Sequence, residues 1–459
     1  DAMTILISVA AFIVALGVLI TVHEFGHYWV AKKLGVKVLR FSVGFGKPLW
    51  SRKAGADQTE YMVATIPLGG YVKMLDEREG RVPEEDMGRA FNRQSVWSRI
   101  AIVAAGPFFN FLFAIVAYYL MFLVGIDGRV TEIGDVIPDT PAYHAGFKPG
   151  EKLVSANGVE LVTWESATLT LLDQALDSGV IEIEVKTPRG HPAFRKLDLT
   201  DTRALLDEGS LYPKIGFEPW RPAIEPRIGV IETGLPAAQA GLLEDDLVQL
   251  VDSRPVEDWR DWVELIQESP GITLPVEVLR QGERFQIDLT PMQKEVGGRV
   301  IGFIGAGPRV DQEKYLSELQ AHTVTERYGP LAALGKAGYK TWEAVILTFK
   351  LLGKLVVGDA SLKTISGPLS IAEYAGVSAT IGLAAFLSFM AIVSVSLGVI
   401  NLLPVPVLDG GHLLYYAIEL VKGSPVSERW ELIGQQVGLT LLAALMILAF
   451  YNDLIRLLG

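Results

Sequence analysis

A charge-free stretch at the start of the sequence most constrains the fold. Residues 2–22 carry no charged side chain, and about 20 apolar residues are enough for a helix to cross a bilayer. His23, Glu24 and His27 follow at once as a His-Glu-x-x-His motif inside the same hydrophobic segment. On a helix the two histidines lie four residues apart on one face, which predicts a metal site with Glu24 beside it and Zn²⁺ as the first candidate.

Ionisable groups at membrane depth are costly unless they have a function. A plainer interpretation of His23 and His27 is that they are interfacial residues that reach water just past a membrane anchor. We expect the first segment to be retained as a span, because no small-residue cleavage site follows it.

The composition fits a membrane protein with additional polar modules. Hydrophobic residues make up 50% of the 459 residues and the mean hydropathy is +0.32, which is too apolar for an ordinary soluble enzyme. The chain has no cysteine, so a metal must be held by His, Asp or Glu. No basic cluster with interleaved aromatic residues is present, and we therefore expect no nucleic-acid partner.

Four spans are predicted, divided between a first membrane part at residues 1–126 and a second at 375–459. The predicted spans lie at about 2–30, about 98–126, within the charge-free run 375–408, and at about 432–452. Pro404 and Pro406 break the third span at its end, because proline cannot continue a helix, just before Asp409.

The charge distribution predicts the orientation. Residues 31–99 hold 13 Lys and Arg against 8 Asp and Glu, whereas residues 127–330 hold 20 against 35. The positive-inside tendency places the first segment in the cytoplasm and the second across the membrane. Four spans then put Asp409 on the same cytoplasmic side as His23, although 386 positions separate them.

The region 38–74 is rich in Val, Phe, Tyr and Ile and contains two glycine-bearing interruptions. It predicts β-hairpins that dip into the membrane beside the first helix, and an exposed strand edge there can add an extended substrate as a further strand. The alternative is a cytoplasmic hairpin without that role. The candidate substrate-contacting residues are Gly44, Phe45, Gly46, Gly69 and Gly70.

The middle of the chain repeats itself. The segment that begins Pro141-Ala142 returns 95 residues later as the segment that begins Pro236-Ala237, which predicts two tandem domains at 127–221 and 222–309. Residues 310–374 form a linker in which lysines interrupt an apolar pattern, as is typical of an amphipathic helix at the membrane surface.

Both repeats resemble PDZ domains, which are small α+β modules. The second copy has Asp245 and Ser253 where glycines are usual. The resemblance implies that the stretch ending each copy is a peptide-binding loop, although a simple terminal strand is equally compatible with the sequence. These stretches contain Ile215, Gly216 and Phe217 in the first copy and Ile304, Gly305 and Ala306 in the second.

Taken together, the motifs resemble the site-2 protease family over essentially the whole chain. They are the His23 motif, Gly106-Pro107-x-x-Asn110 in the second span, the repeated domains, and Asn401-x-x-Pro404-x-Pro406-x-x-Asp409-Gly410. The implied fold is a polytopic α-helical membrane protein with four transmembrane helices, membrane-associated β-hairpins and two tandem α+β PDZ domains. From the residues alone, Gly106, Pro107 and Asn110 serve either helix packing or the metal cavity.

The resemblance also implies the chemistry. Zinc is held by His23, His27 and Asp409, while Glu24 is the general base. Asn401, Pro404 and Pro406 belong to the substrate-handling group. His412 can be a ligand on spacing alone, but the family pattern argues for a structural role.

The implied function is intramembrane cleavage of single-span membrane proteins whose outer domain has already been trimmed. The expected partners are the lipid bilayer and an anti-sigma factor in an envelope stress response, with remnant signal peptides as a further substrate class. The expected location is a bacterial inner membrane, with periplasmic PDZ domains and an active site near the cytoplasmic side. The competing hypothesis is a membrane-anchored PDZ scaffold with an inactive metal site, and the oligomeric state stays open.

Overall fold

The computed structural model describes residues 2–201, 205–206, 210–296 and 299–458. The first part contains helix α1 (Ala2–Lys33), strands β1 (Val38–Ala54) and β2 (Thr59–Met74), and helix α2 (Val96–Val124). Short 3₁₀ helices at Glu77–Glu79, Glu84–Arg89 and Phe91–Arg93 connect β2 to α2. Ser95 begins α2, because its side-chain oxygen accepts a hydrogen bond from the backbone N–H of Ser98.

Strands β1 and β2 form one antiparallel hairpin that folds back on itself. Residues 40–43 pair with 60–63 on one side and with 70–73 on the other, and residues 48–54 pair with 59–64. The two strands therefore build a sheet four rows wide, where the sequence predicted separate hairpins. No other described strand pairs with the outer edge of residues 70–74.

The segment after α2 forms a first α/β unit. Strand β3 is followed by a four-stranded antiparallel sheet in the order β6-β5-β7-β8 and by a separate pairing of β4 with β9. Its core contains Ile133, Leu153, Trp164, Leu171 and Phe217. The elements are β3 (Ile126–Arg129), β4 (Ile133–Val136), α3 (Pro141–His144), β5 (Lys152–Ala156), β6 (Val159–Glu160), α4 (Trp164–Ser178), β7 (Val180–Lys186), β8 (Pro192–Asp198), α5 (Leu211–Ile215) and β9 (Phe217–Pro219).

A second α/β unit repeats this arrangement, with sheet order β12-β11-β13-β14 and a pairing of β10 with β17. Asp245 and Ser253 have φ of 70° and 67°, close to the 77° and 80° of Gly150 and Gly158 in the first unit. The turns therefore keep their shape without glycine. The elements are β10 (Ile228–Ile231), α6 (Pro236–Gln239), β11 (Leu247–Val251), β12 (Arg254–Pro255), α7 (Trp259–Gln267), β13 (Leu274–Arg280), β14 (Glu283–Leu289), β15 (Met292–Val296), β16 (Arg299–Phe303) and β17 (Ala306–Pro308).

The linker returns the chain to α2. Helix α8 (Gln312–Ala321) is followed by strand β18 (Thr323–Glu326), which pairs with β3. Helix α9 (Pro330–Val357) then packs its alanines against the aromatic end of α2. Because α9 carries lysines along its length, it is not one of the helices that qualify as membrane spans.

The last part contains a 3₁₀ turn (Leu362–Thr364) and helices α10 (Pro368–Ile381), α11 (Leu383–Leu402), α12 (Asp409–Lys422) and α13 (Glu428–Leu458). The charge-free run 375–408 was expected to hold one span, but Gly382, with φ of 140°, divides α10 from α11. Among the described residues, α1, α2, α11 and α13 are long and apolar enough to cross a membrane. The expectation of four spans is confirmed at that level, whereas helix α12 was not predicted.

A buried carboxylate connects α13 to α10. Asp453 accepts hydrogen bonds from the backbone N–H groups of Gly367 and Leu369, both at 2.9 Å, and of Ser370 at 3.2 Å. It also accepts one from the Ser370 hydroxyl at 2.6 Å. Asp453 therefore supplies the N-terminal cap of α10 from another helix.

We expect Asp453→Ala to lower the unfolding temperature of the purified protein. The variant leaves three N–H groups without an acceptor, two of them buried, and each loss at a buried group costs about 1–3 kcal/mol. Thermal unfolding in detergent measures the effect. Asp359→Ala is the matched control, because Asp359 is nearly half exposed and pairs with Lys354 at 3.2 Å. Equal unfolding temperatures for the two variants would contradict the capping role.

Candidate metal centre

Three side chains from distant parts of the chain meet between the apolar helices. His23 Nε2 lies 3.2 Å from His27 Nε2. The carboxylate oxygen Asp409 Oδ2 lies 3.2 Å from the first of these nitrogens and 3.5 Å from the second. Elsewhere in the part of the chain that the structure describes, no other group of three or more His, Asp or Glu side chains comes together in this way.

The donor set fits a tetrahedral zinc ion. Ligand bonds of about 2.0–2.1 Å hold the donors of such an ion roughly 3.3 Å apart, close to the three separations found here. His27 Nδ1 lies 2.8 Å from the carbonyl oxygen of Ile102, which can only accept, so the lone pair of His27 is on Nε2. Asp409 Oδ2 is buried and accepts no hydrogen bond. A cation relieves the repulsion between such electron-rich atoms.

Helix geometry and a chain reversal bring the candidate ligands together. His23 and His27 are one turn apart on α1, whereas Asp409 is the first residue of α12. Between α11 and α12 the backbone reverses over residues 403–408, and Val407 has φ of 136°, a strained value for a β-branched residue. Gly410 tolerates the reversal, because a Cβ there would overlap the carbonyl oxygens of Leu403 and Leu402.

Helix α2 forms the opposite wall of the site. A Cβ at Gly106 would overlap the His27 ring and approach His23, so only glycine leaves room for both imidazoles. The side-chain amide of Asn110 lies 3.0 Å from His23 Nδ1. The Gly-Pro-x-x-Asn element, which the sequence left open between packing and the metal cavity, therefore touches both histidines. The carbonyl contact of Ile102 left no signal in the sequence.

A cavity of about 550 Å³ adjoins the three candidate ligands. Of the residues singled out from the sequence, Glu24, Asn401, Phe45, Gly69 and Gly70 line it together with Asp409 and both histidines. The others do not line it: Gly44 and Gly46 abut residues 64–66, and Pro406 packs against Gly438. Pro404 is exposed in the reversal.

His412 does not join the ligand group among the described residues. It lines a separate cavity of about 360 Å³, together with Tyr415 and the ion pair of Arg99 with Glu419, whose closest atoms are 2.7 Å apart. His412 therefore lies outside the candidate ligand group, as the family pattern implies.

The two stretches that end the α/β units are largely core. Ile215 and Phe217 are fully buried and Ile304 nearly so, while Gly216 and Gly305 have φ of 103° and 70° and reverse the backbone. The side chains of these residues therefore stabilise their units. Beside Ile304, Gly305 and Ala306, a cavity of about 190 Å³ opens between α7 and β16.

We expect Gly106→Ala to weaken zinc binding by about 10–100-fold, the range seen when groups that orient metal ligands are disturbed. The added methyl group displaces the His27 ring. Zinc content after dialysis against a chelator measures the loss. Gly17→Ala is the control, since it makes the same change in a span where nothing lies within 4 Å of the new atom. Zinc retention equal to that of Gly17→Ala would show that the α2 wall does not constrain the site.

Comparison with known proteins shows the family to which the chain belongs. The family model of peptidase family M50 matches residues 11–445. The regulator of sigma-E protease RseP of Escherichia coli K12 is 45% identical over 452 residues, 98% of each chain, and that of Salmonella typhimurium 14028s is 43% identical over 455 residues, 99% of this chain and all of the relative. Relatives from Vibrio cholerae and Neisseria meningitidis carry the words zinc metalloprotease in their names. The chain belongs to peptidase family M50, the site-2 proteases, and is a membrane metalloprotease that depends on zinc.

Proposed function

We propose that this protease cuts within the membrane-spanning segments of single-span membrane proteins, with His23, His27 and Asp409 as its zinc ligands. The observation that carries the proposal is the meeting of these three donors with Glu24 in one cavity, between helices apolar enough to cross a bilayer. Two imidazoles and one carboxylate leave a position open for water or substrate, as in catalytic zinc sites.

Zinc, when bound, supplies the Lewis acidity that makes water nucleophilic near neutral pH and polarises the scissile carbonyl. Glu24 follows His23 on α1 and reaches the same cavity without belonging to the ligand group. Its carboxylate takes the proton from the attacking water and then donates it to the departing amide nitrogen.

A helical substrate must unwind before it is cut, because its peptide groups are hydrogen-bonded within the helix. The unpaired outer edge of residues 70–74 lies along the cavity and can bind the unwound segment as a further strand. Asn401 reaches the cavity from α11, and its amide offers both a donor and an acceptor to the substrate backbone.

The glycines of the hairpin shape this edge. A Cβ at Gly69 would overlap the Phe45 ring, which stacks on Tyr71 with ring centroids 6.2 Å apart. Gly44 and Gly46 bring Phe45 to that position by adopting φ of 93° and 92°. The hairpin also exposes large apolar side chains, and we infer that it lies within the membrane. These exposed side chains include Phe45, Leu49, Trp50, Val63 and Ile66.

The two α/β units act, in this proposal, as PDZ domains that exclude substrates with a bulky outer domain. The first unit is tied to α9 by Lys350, whose ammonium lies 2.6 Å from both Asp173 and Asp177 on α4. A hydrogen bond of 3.2 Å from Thr170 to Glu343 adds to this contact. Because α9 packs on α2, these contacts support a position of the first unit next to the membrane part that holds the site.

A second possibility is that a PDZ groove captures the new C-terminus of a trimmed substrate. The cavity between α7 and β16 favours the second unit for this role, since an extended peptide can lie there beside Gly305. Only backbone groups of the stretch 304–306 are suitable partners, because the Ile304 side chain is in the core.

The names of the relatives support the proposed substrate class, and the sequence of this chain supports the proposed location. Their names describe regulators of sigma-E, which supports an anti-sigma factor as the regulated substrate. Remnant signal peptides are a further class, since they too are single apolar segments. The four apolar helices suit a bacterial inner membrane, and the basic segment 31–99 supports a cytoplasmic-side active site with periplasmic PDZ domains.

We expect Glu24→Gln to reduce cleavage of a trimmed single-span substrate by about 10²–10⁴-fold, the usual contribution of a general base. Purified protein and substrate in proteoliposomes give the rate, while zinc content and unfolding temperature stay at parent values. The scaffold hypothesis instead predicts that cellular function survives this change. Parent-like cleavage by Glu24→Gln, or cleavage that persists after zinc chelation, would reject the mechanism.

We expect Lys350→Glu to increase cleavage of an untrimmed substrate relative to a trimmed one by about twofold to fivefold, on the scale of a partly exposed ion pair. The new carboxylate repels Asp173 and Asp177 and loosens the first unit from α9. Lys314→Glu is the control, because this exposed lysine makes the same charge change away from that contact. An unchanged ratio between the two substrates would argue against the size filter.

A further inference from the structure

One polar side chain at the metal centre has no role in the mechanism above. Asn110 lies in the middle of α2 and is fully buried. One end of its amide lies 3.0 Å from His23 Nδ1, with the nitrogen Nδ2 placed there. The other end, the oxygen Oδ1, is buried and has no hydrogen-bond partner. A buried amide oxygen without a donor is unfavourable.

The two orientations of this amide require opposite tautomers of His23. If Nδ2 donates to Nδ1, the single proton of the neutral imidazole must be on Nε2. That nitrogen faces Asp409 at 3.2 Å, and in its protonated form it cannot bind a metal. If Oδ1 instead faces Nδ1, the proton is on Nδ1 and Nε2 has a free lone pair.

His27 provides an internal comparison. Its Nδ1 faces the carbonyl oxygen of Ile102 at 2.8 Å, and a carbonyl can only accept a hydrogen bond. His27 therefore keeps Nε2 free whether or not a metal is bound. The two histidines are equivalent ligands only if His23 also has an acceptor at Nδ1, and Asn110 is the residue in contact with that nitrogen.

We propose that Asn110 is a positioning residue that presents its amide oxygen to the Nδ1–H group of His23. It thereby fixes both the tautomer and the ring orientation of this ligand, as outer partners of metal-bound histidines do. The proposal rests on the zinc site proposed above. Asn110 is itself held in place, because its backbone carbonyl accepts a hydrogen bond of 2.8 Å from Ser394 on α11.

Zinc affinity of the full-length protein, measured by competition with a chromophoric chelator, tests the assignment. Asn110→Leu removes the acceptor and is expected to weaken zinc binding by about 10–100-fold. Asn110→Asp keeps an acceptor but no donor, since an ionised carboxylate only accepts, and it is expected to bind zinc at least as tightly as the parent. Asn452→Leu is the matched control. This buried asparagine lies in α13, away from the candidate ligands, and its amide donates hydrogen bonds to the backbone carbonyls of Leu362 and Ile365.

Parent-like zinc affinity in Asn110→Leu would overturn the proposal. Affinity in Asn110→Asp as weak as in Asn110→Leu would overturn it as well, because an acceptor alone would then be insufficient. If Asn110→Leu shows no cooperative unfolding transition, Asn110→Ala replaces it, since alanine fits in the same space. His23→Ala distinguishes the two proposals: undiminished zinc binding there rejects the ligand set and with it the role of Asn110, whereas weakened binding there together with parent-like binding in Asn110→Leu rejects only the role of Asn110.

Discussion

The structure depends on one electrostatic constraint, which is that electron-rich atoms of three side chains face each other in an apolar setting. The ring nitrogen His27 Nε2 has its lone pair directed at the carboxylate oxygen Asp409 Oδ2, at 3.5 Å, with His23 Nε2 completing the triangle. Such an arrangement is unfavourable away from water unless a cation occupies it. The surrounding helices therefore pack closely at this point. Gly106 has no Cβ, and a Cβ there would overlap the His27 ring and approach the His23 ring.

The same constraint explains the irregular backbone around Asp409. A continuous α11 would carry the chain past the histidines, whereas the reversal at residues 403–408 starts a new helix with Asp409 at its first position. The reversal contains a strained Val407, and Gly410 and Gly411 in the first turn of α12 pack closely against its backbone. Strain of this kind persists where the surrounding structure enforces it, typically at functional sites. The hairpin edge and Asn401 then reach the same cavity from two other directions.

Sequence patterns predicted those features that depend on local periodicity or spacing. The apolar runs predicted four spans, and the spacing of His23 and His27 predicted two donors on one helical face. The same patterns missed features that depend on long-range packing: the division of the third run at Gly382, helix α12, and the four-row sheet made from two strands. The Asn110 contact belongs to the second group. Asn110 is recognisable in the sequence as a polar residue in an apolar span, but only the packing of α2 against α1 brings its side chain to His23.

The most direct test of the account is X-ray absorption at the zinc edge of the full-length protein. The account predicts one zinc per chain, bound only by nitrogen and oxygen at about 2.0–2.1 Å, with the outer-shell scattering of two imidazoles. Replacing Asp409 with alanine should weaken zinc binding and leave the imidazole scattering of the bound zinc in place. A zinc ion bound by three imidazoles, or a zinc affinity unchanged by the loss of Asp409, would contradict this ligand set.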